Sequence, residues 1–381
     1  MKRQSLVWIA IVLMSGCAGL KLADPLHIGE RDWPMFGKDQ TRTNATNEIV
    51  APPLTLAWEH DITSGMGYGS PIIIDSVVIV TNLRGEMYGI NAKSGKRIGW
   101  VSLGDAFQGS PVIDENIAYM AASNTRESLI AFDLLEGKVV WKHEFGDIEV
   151  TPLLYHNRLF FGNVAGNFFS VDKAKGELVW KFKLPENTKR KGIRSTATVC
   201  DNLIIFGAED GSVYALDATY GTERWSYNTG APVFASPAAS NGVAYCGNVD
   251  GKLFAFNVKN GTVLWQFNAG SSVYATLSFA NNLTLIGTTG GMLHALNVKD
   301  GSLAWSKELN GVINSSAVVS GNIAYVGTLK KELYAIKTDD GSVVWKETLQ
   351  GRIKTSPAVA QGKVFVATDD KMILAFKPIE K

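Results

Sequence analysis

Short apolar runs alternate with turn residues along nearly the whole chain. Within residues 231–265, for example, the runs 243–246 and 252–256 are separated by Asp250-Gly251, and further Asn-Gly pairs stand on either side. Short apolar runs bounded by such pairs are typical of β-hairpins. No window of eleven or more residues beyond the amino-terminal segment keeps an apolar stripe at helical spacing without a glycine break. The pattern therefore predicts an all-β protein in which each such stretch forms four short antiparallel strands.

A tryptophan recurs roughly every forty residues, which is the size of one propeller blade. The most complete copy of the surrounding frame has Ala215, Asp217, Gly221 and Trp225. We interpret it as a hairpin: the first strand ends at the Asp, whose side chain holds the turn, and the glycine takes a positive φ before the next strand. We expect each tryptophan to cover the neighbouring blade. The tryptophans with this structural docking role are Trp58, Trp100, Trp141, Trp180, Trp225, Trp265, Trp305 and Trp345.

A Ser or Thr marks the start of the innermost strand of each repeat. The marks number eight and predict an eight-bladed β-propeller of four-stranded antiparallel blades. The last repeat has no tryptophan strand of its own, whereas residues 54–58 form such a strand with no blade before it. We therefore expect this N-terminal strand to complete the last blade and close the ring. The marks are Ser70, Ser110, Thr151, Thr196, Ser236, Thr276, Ser316 and Ser356.

The position two residues before each mark should face the mouth of the central channel. Three aromatic rings, two cations, one carboxylate and two amides there could hold a flat or carboxylated ligand by stacking and paired hydrogen bonds. The alternative is that these are variable loop positions and that Arg194 pairs with Glu149 of the adjacent blade. This channel-mouth ring consists of Tyr68, Gln108, Glu149, Arg194, Phe234, Tyr274, Asn314 and Lys354.

Composition excludes several function classes. With 37 Lys and Arg against 36 Asp and Glu, the net charge is +1, so no overall field favours nucleic acid. The five histidines show no metal-binding spacing, and no G-x-S-x-G, phosphate-loop or H-E-x-x-H motif occurs. We therefore expect no metal site and no catalytic residue. Cys200 and Cys246 occupy different repeat positions, which favours two separate thiols, with a disulfide as the open alternative.

The amino end has the pattern of an export signal. Lys2 and Arg3 precede the apolar residues 6–14, and Ser15-Gly16-Cys17 follows. The apolar run is too short to cross a bilayer as a helix. We predict a lipoprotein signal peptide at residues 1–16, a tether and lead-in at 17–53, and one propeller domain at 54–381, because a propeller grows by adding blades and needs no second core.

The A-x-D-x-x-x-G-x-x-x-W frame resembles the tryptophan-docking repeat of the quinoproteins, the pyrroloquinoline-quinone-type (PQQ-type) eight-bladed propellers, over roughly residues 54–377. By size and single-propeller build, the chain is similar to the BamB-like outer-membrane assembly lipoproteins. The small residues before Cys17 resemble a lipobox, with an ordinary cleaved signal as the alternative. The resemblance implies acylation of Cys17, and Ala18 after it implies sorting to the outer membrane.

The quinoprotein resemblance does not extend to the chemistry of the enzymes. Their cofactor needs a bound calcium with carboxylate and amide ligands and a general-base Asp. Glu149 and Asn314 offer oxygen ligands at the mouth, but no Asp occupies the ring and the long insertions around the enzymes' substrate cavity are absent. We therefore expect no cofactor and no enzymatic activity.

The segment 181–194 is longer than its equivalents in the following blades and carries a basic cluster. Its cations are Lys189, Arg190, Lys191 and Arg194. The resemblance to BamB-like proteins implies a role for this loop, since a loop at about this place is implicated there in docking to the barrel-assembly partner. Long loops on rigid scaffolds also often carry recognition. The alternative is a solvated charge cluster. The resulting expectation is a periplasm-facing scaffold that binds a protein partner and is monomeric outside its complex, with a quinone- or carbohydrate-binding propeller as the rival.

Overall fold

The computed structural model describes residues 19–186 and 190–379. Within these residues it contains 33 β-strands and no helix. The strands form eight sheets, numbered here as blades 1 to 8 in chain order. The predicted all-β, eight-bladed propeller is thereby confirmed. The predicted signal peptide, Cys17 and Lys189 lie outside the described residues.

Every blade repeats four strand positions from the channel outward. The inner strands are β3 (Ile72–Ile74), β7 (Val112–Asp114), β11 (Leu153–Tyr155), β15 (Thr198–Cys200), β19 (Ala238–Ser240), β23 (Ser278–Ala280), β27 (Val318–Ser320) and β31 (Ala358–Ala360). The second strands are β4 (Val77–Thr81), β8 (Ile117–Ala121), β12 (Arg158–Gly162), β16 (Leu203–Gly207), β20 (Val243–Gly247), β24 (Leu283–Gly287), β28 (Ile323–Gly327) and β32 (Lys363–Ala367). The third strands are β5 (Glu86–Asn91), β9 (Leu129–Asp133), β13 (Asn167–Asp172), β17 (Ser212–Asp217), β21 (Lys252–Asn257), β25 (Met292–Asn297), β29 (Glu332–Lys337) and β33 (Met372–Pro378). The outer strands are β6 (Arg97–Ser102), β10 (Lys138–His143), β14 (Leu178–Lys183), β18 (Glu223–Asn228), β22 (Val263–Asn268), β26 (Leu303–Glu308), β30 (Val343–Thr348) and, in blade 8, β2 (Leu54–Asp61).

The hydrophobic core is a ring of layers between neighbouring blades. In β16, Ile204 and Phe206 pack against blade 3, whereas Ile205 packs against blade 5. A middle strand is thus buried on both faces, which explains why the second and third strands read as continuous apolar runs. Each blade therefore depends on both neighbours for its burial.

The N-terminal strand closes the ring as predicted. β2 pairs antiparallel with β33 as the outer strand of blade 8, with Trp58 opposite Ala375. Its indole packs on Phe365 of the same blade at 5.9 Å between ring centroids. Because β2 and the last strand, β33, share one sheet, blade 8 has the same four strand positions as the other blades.

The Ser and Thr marks form a hydrogen-bonded belt around the channel. The N–H of Ser110 donates to Thr151 Oγ1 of the next blade at 2.9 Å, and the N–H of Thr196 donates to Ser236 Oγ at 2.9 Å. Six of the eight junctions between blades are bridged in this way. A short hydroxyl side chain is needed here because it satisfies a buried backbone donor of its neighbour.

The lead-in crosses the channel and closes the end opposite the mouth. Its backbone bonds to one inner strand after another: Trp33 pairs with Ile73 of blade 1, and the carbonyls of Thr41, Thr43 and Asn44 accept from the middle residues of β19, β23 and β27. A two-residue strand, β1 (Ala45–Thr46), then adds in parallel to β27 of blade 7. The channel therefore has a floor made by the lead-in.

Six tryptophans dock between blades in one geometry. Each indole N–H donates to the carbonyl after the Asx position, or after Lys337 in blade 7, as Trp225 does to Val258 O at 2.6 Å. The turn glycine of the next blade lies flat on the indole, and a Cβ at Gly261 would come within 2.6 Å of the Trp225 ring. The six that share the bond are Trp58, Trp141, Trp180, Trp225, Trp265 and Trp305. Trp345 packs on Phe376 of blade 8 instead.

Trp100 does not dock, which corrects its predicted role. The extra residue between Gly95 and Trp100 shifts the register, so that Gly99 lies opposite Gly89 while Trp100 lies opposite Tyr88. Trp100 therefore stacks on Tyr88 within its own blade and remains 36% exposed. Residues 19–26, here called the amino-terminal segment, take the place of the missing indole between blades 1 and 2.

Candidate functional site

One cavity of about 420 Å³ occupies the mouth of the channel. All eight residues of the channel-mouth ring line it. They converge because each precedes an inner strand, and the Ser/Thr belt fixes the start of those strands. Adjacent mouth loops are also joined directly, since the N–H of Tyr68 donates to Gln108 O at 2.7 Å. A rigid frame thus carries eight side chains of different chemistry.

Aromatic groups form two walls and the floor of this cavity. Phe234 and Tyr274 stack at 5.7 Å with an interplanar angle of 19°. Tyr68, which is 69% exposed, belongs to blade 1 and therefore stands across the ring from Phe234 of blade 5. Phe36 of the lead-in is buried and lines the same cavity from below. Planar or sugar-ring ligands are the kinds of molecule that such surfaces stack on.

Arg194 is engaged by two carboxylates of the protein itself. Its Nε donates to Glu149 Oε2 at 2.6 Å, and its Nη1 contacts Glu209 Oε1. The pairing with Glu149 is the one that the alternative interpretation of the ring anticipates. Gly192 permits the close approach of Glu209, because a Cβ there would lie 2.3 Å from the Glu209 carboxylate. Arg194 consequently fixes the base of its loop.

Lys354 lies near a carboxylate that it shares with a second cation. Its Nζ lies 3.6 Å from Asp369 Oδ2, and Arg352 binds the same carboxylate at 2.5 Å. The two cations and a backbone N–H donated by Arg352 hold the pKa of Asp369 below its usual value, although burial opposes this. Arg194 is therefore engaged by two carboxylates, whereas Lys354 and Arg352 share one carboxylate and together keep a net positive charge beside the mouth.

A buried arginine beneath the floor escaped sequence analysis. Arg42 is fully buried, donates from Nε to Ala197 O at 3.2 Å and from Nη1 to Phe36 O, and lies 5.7 Å below the Phe36 ring. Burial lowers the pKa of its guanidinium to about 10. Nothing in the repeat could reveal this role, because Arg42 belongs to the non-repeating lead-in and binds backbone carbonyls.

The ring does not supply a quinone site of the calcium-dependent kind. Glu149 belongs to blade 3 and Asn314 to blade 7, so these two oxygen donors face each other across the channel. Glu149 is also bound by Arg194. No cluster of three or more His, Cys, Asp or Glu suited to a metal occurs within residues 19–186 and 190–379. What the ring does offer is Asn314 Oδ1, a buried acceptor with no partner among the described residues.

The predicted partner loop rises from a fixed base. Ile193 packs against Gly162, where a Cβ would lie 2.2 Å from the Ile193 side chain, and the N–H of Glu209 donates to Gly192 O at 2.9 Å. Arg190 and Lys191 are exposed. The ion pair with Lys183, together with Lys191, lowers the pKa of Glu186 in the same loop. Two of the four predicted cations are thus exposed at the surface, whereas Arg194 is bound by Glu149 and Glu209.

The remaining reactive side chains are part of the packing. Cys200 and Cys246 are both free thiols, and burial raises the pKa of Cys246 to about 12. His294 bonds Ser306 Oγ and Ala269 O, and burial lowers the pKa of its imidazole. These contacts agree with a structural role for each side chain. The described part of the chain holds no helix with the length and hydropathy needed to cross a membrane.

A family model described as outer membrane protein assembly factor BamB matches residues 50–192, 164–316 and 309–379, which together cover most of the chain. The BamB of Legionella pneumophila is 26% identical over 183 residues, which are 45% of this chain and 46% of the relative. The tetrathionate hydrolase of Acidithiobacillus ferrooxidans is 26% identical over 225 residues, or 49% and 44% of the two chains. The alignments thus span less than half of the length of these curated relatives.

Solved structures show the same fold in an assembly factor and in an enzyme. BamB from Moraxella catarrhalis superposes with a TM-score of 0.73 at 18% identity, covering 85% of this chain and 99% of that one. The quinohemoprotein alcohol dehydrogenase from Comamonas testosteroni gives a TM-score of 0.76 at 16% identity, covering 92% and 82%. Fold alone therefore does not separate a binding scaffold from an enzyme.

Proposed function

The chain belongs to the family of outer membrane protein assembly factor BamB, and on that premise we propose that it is a non-enzymatic scaffold that binds a protein partner in outer-membrane β-barrel assembly. In this proposal the propeller faces the periplasm and is anchored to the outer membrane by acylation of Cys17. No reaction is assigned to it.

The observation that carries the proposal is the rigid mounting of the basic loop. Ile193 and Gly192 fix its carboxyl end in the seam between blades 3 and 4, so exposed Arg190 and Lys191 project from a base that does not have to be ordered on binding. A base that is already ordered adds little to the conformational entropy lost on binding. Its cations, together with Lys189, suit an acidic or extended segment of a partner.

The structure changes the part played by Arg194. Because its guanidinium already binds Glu149 and Glu209, we assign it to positioning the loop, whereas Lys189, Arg190 and Lys191 contact the partner. Arg194→Ala should therefore loosen the loop and raise its hydrogen exchange. The three contact residues should be replaceable without this effect.

Co-purification with the barrel-assembly machinery tests the proposal. The variant Lys189→Ala/Arg190→Ala/Lys191→Ala should lose most of the recovered partner, and the loss should deepen as salt weakens the remaining charge contacts. A matched control is Arg84→Ala/Lys330→Ala, which removes two exposed cations from other turns on the same face. Equal recovery with both variants would sink the assignment of this loop.

A second candidate is a small-molecule site in the mouth cavity. The specific observation is that Phe234, Tyr274 and Tyr68 offer stacking surfaces around the unpartnered Asn314 Oδ1. A flat quinone or a sugar ring with a hydroxyl donor suits that arrangement. The geometry favours a ligand that needs no calcium, because Glu149 and Asn314 lie on opposite sides of the channel and Glu149 is bound by Arg194.

Thermal unfolding with added ligand separates the two candidates. At a hundred times the dissociation constant, a bound ligand should contribute about 2.7 kcal/mol. The compounds to test are a quinone, with and without calcium, and soluble oligosaccharides. Each is added to the parent chain and to the variant Tyr274→Ala. A shift that Tyr274→Ala abolishes supports the cavity site, and no shift with any of these compounds argues against it.

A further inference from the structure

The amino-terminal segment, residues 19–26, is bound between blades 1 and 2 by buried side chains and backbone hydrogen bonds. Leu20, Leu22 and Leu26 are buried, with 0%, 5% and 8% exposure, in the layer between blades 1 and 2. The N–H of Leu22 donates to Leu134 O at 2.7 Å, and the N–H of Leu26 donates to Asn116 Oδ1 at 2.8 Å. Burying three leucine side chains removes a large apolar area from water, which holds the segment in place. The segment is therefore a fixed part of the domain.

Blade 1 is built to receive this segment. Gly89 stands where the frame of blade 4 has Ala215, and a Cβ there would lie 2.6 Å from Leu20 Cδ1. At Gly99 a Cβ would lie 2.8 Å from Gly19 O and 2.9 Å from Leu20 Cα. The clash at Gly99 is with backbone, which cannot move aside as a side chain can. Two glycines facing each other across one strand pair thus make the seat for Gly19 and Leu20.

The seat fixes where the chain leaves the propeller. Gly19 contacts Gly99 in the outer strand of blade 1, and Cys17 is two residues earlier in the chain. Two residues reach at most about 7 Å. A lipid on Cys17 would consequently begin beside the outer edge of blades 1 and 2, and no long free tether would separate it from the domain.

We propose that the amino-terminal segment is a rigid strut that holds the outer edge of blades 1 and 2 against the phospholipid surface in which the Cys17 lipid is embedded. This inference rests on the lipid anchor in the proposed function. In this orientation the channel axis lies roughly parallel to the membrane. The mouth and the basic loop then face along the membrane surface, toward neighbouring proteins.

The chemistry of this edge suits a headgroup surface. Lys21, Lys96 and Arg97 are exposed beside the point where the chain leaves blade 1. Trp100, displaced by the register shift, is 36% exposed in the same outer strand. Tryptophan favours the membrane interface, and cations near the surface of anionic lipid each contribute to attraction.

Seating of the segment is tested first in the full-length acylated chain in nanodiscs containing anionic phospholipid. Trypsin should cleave after Lys21 slowly in the parent chain and at least tenfold faster in Gly99→Ala. The matched control is Gly104→Ala, because a Cβ at Gly104 would meet nothing closer than 3.9 Å. Equal cleavage rates in all three chains would overturn the strut.

Orientation is tested with single fluorescent labels and headgroup-nitroxide lipids in the same nanodiscs. On a Cys200→Ser background, Glu136→Cys in blade 2 and Asp300→Cys in blade 6 place labels at equivalent turns on opposite sides of the ring. Quenching at 136 should exceed that at 300 at least fivefold, and Gly99→Ala should equalise the two. Equal quenching in the parent chain contradicts the orientation. The variant Cys17→Ser reports on the anchor separately: if it stays on the nanodiscs as the parent does, the lipid anchor fails and the strut, as a membrane contact, fails with it, whatever trypsin shows.

Discussion

Between blades 4 and 5, Trp225 donates its indole N–H to Val258 O and lies under Gly261, whereas between blades 1 and 2 the equivalent carbonyl, Leu134 O, accepts from the backbone of Leu22. In both seams a buried carbonyl after the Asx residue must find a donor, because leaving it unsatisfied costs about 1 to 3 kcal/mol. The repeat therefore places a buried carbonyl that requires a hydrogen-bond donor in each seam, and that donor can come from outside the repeat.

The two solutions differ in what they connect. Trp225 belongs to blade 4 and its indole binds blade 5, so a regular seam joins only neighbouring repeats. The amino-terminal segment instead joins the seam of blades 1 and 2 to the part of the chain that precedes the propeller. The seam of blades 1 and 2, which lacks a docked indole, is thus the seam where the propeller holds the chain that precedes it.

Removing the indole should separate the two seams most strongly. Trp225→Ala deletes a buried ring and leaves Val258 O without its donor, so we expect a loss of about 3 to 5 kcal/mol in unfolding free energy. Trp100→Ala removes a half-exposed ring that docks nowhere, and we expect about 1 kcal/mol or less. Urea denaturation followed by circular dichroism measures both. Comparable losses in the two variants would show that Trp100 supports a seam after all.

The turn glycines should divide the seams in a second way. Gly261 and Gly137 both have positive φ, at 70° and 67°, so alanine strains the backbone at either position. Only at Gly261 does the new Cβ also enter an indole, 2.6 Å from the Trp225 ring; at Gly137 it meets Leu20 O and the Lys21 side chain at 3.2 Å. We expect Gly261→Ala to cost about 3 kcal/mol and Gly137→Ala about 1 kcal/mol.

The same denaturation experiment decides this second comparison. A larger loss at Gly137 than at Gly261 would mean that the amino-terminal segment packs more tightly than an indole. The difference between the two variants isolates the contact from the backbone strain, since the strain is common to both.

The regular seams were predictable from sequence and the irregular one was not. The spacing of Asp217, Gly221 and Trp225 predicts a hairpin, its turn and the docked indole together. Counting the repeats of this frame and of the Ser or Thr marks therefore predicts eight blades and the closure of the ring. At Trp100 the extra residue after Gly95 was visible, but its effect depends on strand register, which a one-residue slip reverses. The paths of the lead-in and the amino-terminal segment left no signal, because neither segment repeats and neither contains the frame that marks the blades.

The candidate site divides in the same way. The ring from Tyr68 to Lys354 could be located because each member keeps a fixed distance from its Ser or Thr mark. The engagement of Arg194 by Glu209 was hidden, since Glu209 lies in a turn with no counterpart in the ring. Phe36 and Arg42 were hidden for the reason that hides the whole lead-in.

The belt of hydroxyls gives a smaller difference between seams. Ser110 Oγ accepts from the N–H of Ser70 at 2.7 Å and donates to Ser70 O at 2.9 Å, so the inner link between blades 1 and 2 is intact although the outer indole is missing. Ser70 Oγ, at the seam of blades 8 and 1, has no partner among the described residues. We expect Ser110→Ala to cost about 1 to 2 kcal/mol and Ser70→Ala close to nothing. Equal costs measured by urea denaturation would contradict a belt that is open at the junction of blades 8 and 1.

The smallest expected difference is in the response to acid. His294 in blade 6 occupies the repeat position that Tyr88 has in blade 1, and burial lowers the pKa of the imidazole. The unfolded chain, with a histidine pKa of about 6.5, therefore takes up a proton at a higher pH than the folded chain. Stability contributed by neutral His294 is present above that value and falls as the pH drops through it. His294→Tyr should thus lose less stability than the parent when the pH falls from 7.5 to 5.5, as measured by the urea midpoint at each pH. Part of the pH dependence that remains should come from His60, whose pKa is also lowered by burial. An unchanged slope would mean that His294 is as accessible to protons in the folded ring as in the unfolded chain.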